Sequence, residues 1–98
     1  MTRDAVIAIL RAHEQPLRRQ GVRRAALFGS TARGDETPDS DLDIMVEVDP
    51  SAHVDLYDYV GITQYIAGLF PVPVDVSDSA MLIEPVRRTA EQDALYAF

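Results

Sequence analysis

A chain of 98 residues with 47% hydrophobic and 26% charged positions has the balance of one small globular domain with a single core. It contains no cysteine, which excludes a disulfide framework and a thiolate metal centre and leaves oxygen ligands to carry any metal binding. A formal charge of −7 and a pI near 4.5 argue against a domain that grips nucleic acid through its phosphates.

Apolar runs stay far below the about 20 residues that a membrane span needs, so no membrane segment is expected. Met1 to Asp4 lead into a mixed helix rather than a signal peptide, and a cytoplasmic location is the expectation. All nine basic residues are arginine, and seven of them lie at or before Arg33. The basic amino-terminal third could meet an acidic partner or a triphosphate tail. A solvated helix face is the plainer explanation for any one of these arginines.

In chain order, Val6, Ile7, Ile9 and Leu10 mark a helix over 3–12 with Thr2 as its N-cap. Pro16 interrupts it, and a short helical piece at 15–20 ends at Gly21. Val22 to Phe28 reads as the first strand, with Arg23 and Arg24 at its start and Ala25 to Phe28 buried on both sides. One helical turn is expected over 30–34, then a loop over 35–40. A second strand runs from Asp41 to Val48 and stops at Asp49-Pro50. Ser51 or His53 is expected to begin the next helix. Val54, Leu56, Tyr57, Val60, Ile62, Tyr65, Ile66 and Leu69 give that helix a broad apolar stripe. Tyr57, Tyr59 and Tyr65 read as core and interface residues. Phe70-Pro71 closes the helix, and Val72 to Val76 makes a third strand, at a sheet edge or bulged because of its prolines. Pro85 fits the first turn of a last helix over 84–94, and Leu95 to Phe98 forms a further turn or a short strand. The expected fold is α+β, a small mixed sheet with helices packed on one face.

The chemistry lies in 29–43. Gly29-Ser30 follows the first strand as a tight turn whose N–H groups and hydroxyl suit a phosphate, although a simple strand-to-helix turn also favours Gly-Ser. Side chains alternate along a strand, so Asp41 and Asp43 share one face while Leu42, Ile44 and Val46 occupy the other. Two carboxylates on one face make half a site for a hard divalent cation. Asp75 faces opposite to Val74 and Val76. Should its strand lie beside Asp41 and Asp43, three acids converge, and divalent ions would offset their repulsion. Taken singly, each acid could be a solvated strand-end residue. Arg33 can reach a triphosphate or pair with Asp35 or Asp39, and Ser40 orients the strand start. Gly29 to Gly34 imitates half a P-loop, but Asp35-Glu36 stands where Lys and Ser/Thr are required. Asp39 to Asp43 imitates an EF-hand opening, but Ile44 replaces the turn glycine and Pro50 the closing glutamate. His13 and His53 have no partner at metal-ligand spacing. Metal-binding acids beside a phosphate-binding turn suggest phosphoryl or nucleotidyl transfer.

Gly29-Ser30, ten residues, then Asp41-x-Asp43 resembles the nucleotidyltransferase superfamily of the DNA polymerase β type, at the spacing of its minimal members. The resemblance extends over nearly the whole chain. It implies a nucleotidyltransferase-like fold in which Asp41 and Asp43 bridge two Mg²⁺ ions, with Mn²⁺ as an alternative. It implies further that Asp75 ligates the ion beside an attacking hydroxyl, and that Gly29, Ser30, Arg33 and Ser40 contact the nucleotide. Minimal members are usually encoded beside a HEPN-domain partner as toxin–antitoxin pairs. The resemblance therefore implies transfer of AMP from ATP to a tyrosine of a HEPN toxin. The alternative is a non-catalytic antitoxin that neutralises the HEPN ribonuclease by stoichiometric binding. The 98 residues leave nothing for an acceptor-holding domain, so a second protein either completes the site or is the substrate.

Overall fold

The computed structural model describes residues 1–34 and 41–98. Helix α1, Arg3–Ala12, is capped as expected, with the Ala5 N–H donating to the Thr2 hydroxyl. At His13 the chain turns into α2, Glu14–Arg19, and His13 Nδ1 lies 2.9 Å from the Ile9 carbonyl. Pro16 falls in the first turn of α2, where its missing N–H would have no intrahelical partner anyway. Strand β1, Val22–Phe28, follows and runs directly into the short helix α3, Gly29–Arg33. Strand β2 is Leu42–Val48, helix α4 is Leu56–Ala67, and strand β3 is Val74–Asp78. Helix α5, Glu84–Asp93, leads to the two-residue strand β4, Leu95–Tyr96.

The sheet is mixed, in the order β3-β2-β1-β4. Antiparallel pairs join β1 to β2 and to β4, and β3 runs parallel to β2 at the edge. Alternation along β1 and β2 sorts their side chains between two layers. Ala25, Leu27, Ile44 and Val46 pack with Val6, Leu10, Leu17, Ile62 and Ile66 from α1, α2 and α4. Ala26 and Met45 face the other way and meet Ala90 of α5. The expected helical layer on one face is thus α1, α2 and α4. Helix α5 covers part of the opposite face, the one to which alternation also directs Asp43. Ala25, Ala26 and Leu27 are buried on both faces of β1, whereas Arg23 and Arg24 near its start are exposed. Leu27 is fully buried, so Leu27→Ala is expected to cost about 2–5 kcal/mol, read as a lower urea midpoint at unchanged slope.

Several boundaries differ from the sequence expectation. Pro50–Ala52 form a single 3₁₀ turn, and α4 begins only at Leu56, capped by Asp55 rather than by Ser51 or His53. Asp55 accepts from the Asp58 N–H at 2.8 Å, and the Asp58 carboxylate accepts from the Asp55 N–H at 3.2 Å. That reciprocal pair satisfies two groups at once, which neither rival could do. Strand β3 begins two residues later than expected, after both prolines, and the Pro73 carbonyl accepts from the Leu42 N–H at 3.0 Å. The apolar stripe of α4 is wider than its contact. Ile62 and Ile66 are buried, whereas Leu56 is 76% and Tyr57 89% exposed. Tyr65 packs edge-on against His13 and Tyr59 is half-buried, so of the three tyrosines only Tyr57 stands clear of the core. Among the described residues, no helix is long and apolar enough to cross a membrane.

Candidate active site

Register brings the acids to one place. Phe28 of β1 pairs with Asp43 of β2, and Asp43 pairs with Asp75 of β3, so the three residues form one row across adjacent strands. Neighbouring strands lie about 4.8 Å apart, which sets Asp43 and Asp75 side by side on one face. Asp41 lies two residues before Asp43, exposed and just ahead of β2, near enough for its charge to act on the Asp43 carboxyl. Asp75 is exposed, while Asp43 is half-buried in the middle of the row. Burial raises the Asp43 carboxyl above its ordinary value of 3.8, Asp75 and Asp41 raise it further, and Arg33 works against them.

The glycine at 29 is dictated by this arrangement. Its φ is +76°, in the left-handed region, and a Cβ there would stand 2.4 Å from Asp43 Oδ2. A side chain at 29 would therefore be strained by the backbone and would push the Asp43 carboxylate aside, and glycine avoids both. Ser30 follows in the first turn of α3, half-buried. Arg33, at the end of α3, donates to Asp93 of α5 at 2.8 Å, a partner 60 residues away that the sequence does not suggest. Ser40, and with it Asp35 and Asp39, lies outside the described residues. Gly29, Ser30, Arg33, Asp41, Asp43 and Asp75 are thus all placed at the same end of the sheet.

The donors suit a hard divalent ion: carboxylate oxygens only, with the central carboxyl destabilised as an anion by its neighbours. Among the described residues, no three acidic or imidazole side chains are gathered at ligating distance of a single point. Mg²⁺ commonly binds through one or two carboxylates and completes its shell with substrate phosphates, so this is the donor set such an ion takes.

The shift at Asp43 has a sign that can be measured. With its native value raised, ionisation destabilises the fold at neutral pH, and the penalty fades as pH falls through the raised value towards 3.8. In chelator, Asp43→Asn should melt above the parent at pH 7, and the gap should shrink towards pH 4. A gap that does not depend on pH would contradict this.

A neighbouring feature is not expected from the sequence. A cavity of about 430 Å³ lies beside Gly29, lined by Phe28, Gly29, Arg33, Val86, Thr89 and Asp93 among others. Val86, Thr89, Ala90 and Asp93 recur at helical spacing, and that periodicity is the signal that could have pointed to it. A cavity of similar size, about 460 Å³, is lined by Arg18, Arg19, Gly21 and Tyr57 at the far end of the sheet, away from the acids.

The family described as nucleotidyltransferase domain matches residues 10–96. The chain belongs to that family. It is 32% identical to protein adenylyltransferase MntA of Thermococcus cleftensis, over 98% of this chain and 96% of that one. A Methanocaldococcus jannaschii protein, named as a candidate protein adenylyltransferase, is 34% identical over 97% of both chains. A solved structure described as a candidate minimal nucleotidyltransferase superposes with a TM-score of 0.79 at 29% identity, covering 97% of this chain and 95% of that one. A toxin–antitoxin crystal structure with AMP-PNP has a TM-score of 0.68 at 20% identity, covering 90% of this chain and 72% of that one, which shows a shared fold. The resemblance drawn from Gly29-Ser30 and Asp41-x-Asp43 therefore names the right family. As a nucleotidyltransferase, the chain has its acid row where strand pairing, not sequence distance, gathers it.

Proposed function

We propose that this chain is a Mg²⁺-dependent nucleotidyltransferase that moves AMP from ATP to a tyrosine hydroxyl of a HEPN-domain toxin, and so acts as its antitoxin. The observation that carries the reading is the row Phe28–Asp43–Asp75 abutting Gly29, which sets paired carboxylates against a strand-to-helix turn. The relatives' names support a protein acceptor and an adenylyl donor, and the neighbour holding AMP-PNP supports a nucleoside triphosphate. Asp41, Asp43 and Asp75 would hold two Mg²⁺ ions, which lower the hydroxyl's pKa and neutralise the triphosphate. Ser30 donates its hydroxyl to a phosphate oxygen, and Arg33 and Ser40 supply further contacts. Asp75, exposed at the sheet edge, faces the side from which an acceptor hydroxyl arrives. That oxygen attacks the α-phosphorus, the bond to the bridging oxygen breaks, and pyrophosphate leaves. Its proton passes to the carboxylate cluster or to water.

The test uses the chain, its co-encoded partner, Mg²⁺ and ATP labelled at either the α- or the γ-phosphate. Label should reach the partner from the α position alone and disappear with chelator. Label from the γ position would make the chain a kinase. No label from either, with a stable complex, would leave the second reading, a non-catalytic antitoxin that binds the HEPN partner stoichiometrically. One observation favours that alternative: Leu56, Tyr57 and Val60 form an exposed apolar patch at the start of α4, on the face away from the acids.

A further inference from the structure

We propose that the cavity beneath α5 seats the nucleobase of the triphosphate substrate, with Phe28, Val86 and Thr89 as its walls. The inference rests on the triphosphate reading above and deepens it. The cavity lies on the acid-bearing face, because Phe28 pairs directly with Asp43 and Ala90 packs on Met45 of that face. Gly29 belongs to both places, lining the cavity while standing against the Asp43 carboxylate. A ligand laid across Gly29 therefore meets acids and their counter-ions on one side and a mostly apolar wall on the other. A molecule with an anionic tail and a flat, weakly polar ring matches that division. At about 430 Å³ the cavity falls within the roughly 300–1,000 Å³ typical of small-molecule sites.

The walls come from segments 60 residues apart, and the Arg33–Asp93 ion pair ties α3 to α5 at the rim. An aromatic ring of the acceptor fits this place less well. The cavity flanks Asp43 on the β1 side, with the turn, whereas the opposite flank at Asp75 is open at the sheet edge. Donor and acceptor would then approach Asp43 from opposite sides, as in-line displacement requires.

The test is equilibrium binding to the full chain in Mg²⁺, comparing ATP with inorganic tripolyphosphate. ATP should bind about tenfold or more tighter than tripolyphosphate, the scale of one base stacked on a protein wall. Thr89 and Val86 are exposed, so Thr89→Trp, which fills the cavity, and Val86→Glu, which charges it, should both leave the circular dichroism unchanged. Each should erase the advantage of ATP and leave tripolyphosphate affinity unaltered. An advantage retained in both variants would overturn the inference. So would a loss confined to the KM for the acceptor protein, which would put the acceptor's ring in the cavity. Failure of the unmodified chain to bind tripolyphosphate would instead overturn the triphosphate reading, and the inference with it.

Discussion

Asp43→Asn is expected to slow AMP transfer about thousandfold or more, because it removes the carboxylate at the centre of the row and with it the charge that would hold the proposed ions. The same change should stabilise the metal-free protein, since burial, Asp75 and Asp41 all disfavour the ionised form of Asp43. This opposite movement of activity and stability distinguishes a site residue from a core residue, where both fall together. Mg²⁺ adds a second measurement. At a hundredfold excess over its Kd it should stabilise the parent by about 2.7 kcal/mol, seen as a higher melting temperature, and should do far less for Asp43→Asn. Asp41→Asn should lose transfer comparably. If both variants kept full transfer, the assignment of the metal site would be wrong.

Gly29→Ala is expected to cost about 1–2 kcal/mol for a left-handed backbone and, separately, to push the Asp43 carboxylate out of place. A displacement near 1 Å at a reacting centre can lower turnover about a hundredfold. Gly34 provides the control. Its φ is also positive, at +81°, but among the described residues a Cβ there would meet only Arg3 Nη1, at 3.9 Å. Gly34→Ala should therefore lose similar stability and keep most of its transfer, so the two variants separate strain from collision. Equal loss of activity in both would mean that the contact between Gly29 and Asp43 is incidental.

Much of this arrangement is legible in the amino-acid sequence, and the reason is local. Period-two alternation is enough to put Asp41 and Asp43 on one face and to oppose Asp75 to Val74 and Val76. The family follows from a turn, a spacer and an acid pair that coincide within 15 residues. Strand pairing is not legible in the same way. Nothing in 72–78 states that β3 runs parallel to β2 with Asp75 opposite Asp43, because register is set by the whole sheet. The Arg33–Asp93 pair is hidden for the same reason, joining residues 60 apart. Helix starts fail more locally. Ser51 and His53 read as possible starts of the helix, but the reciprocal bonds of Asp55 and Asp58 decide where α4 begins. The apolar stripe of that helix reads as contact surface throughout, whereas Leu56 and Tyr57 face outward. Composition alone does not separate an apolar core position from an apolar docking position.

The most direct measurement is the intact mass of the co-encoded partner, purified after expression with either the parent chain or Asp43→Asn. The account predicts a partner heavier by one or more AMP groups, on tyrosine, with the parent chain, and an unmodified partner still bound to Asp43→Asn. An unmodified partner in both cases, neutralised equally well by both chains, would contradict it and leave the acid row without a role in antitoxin action.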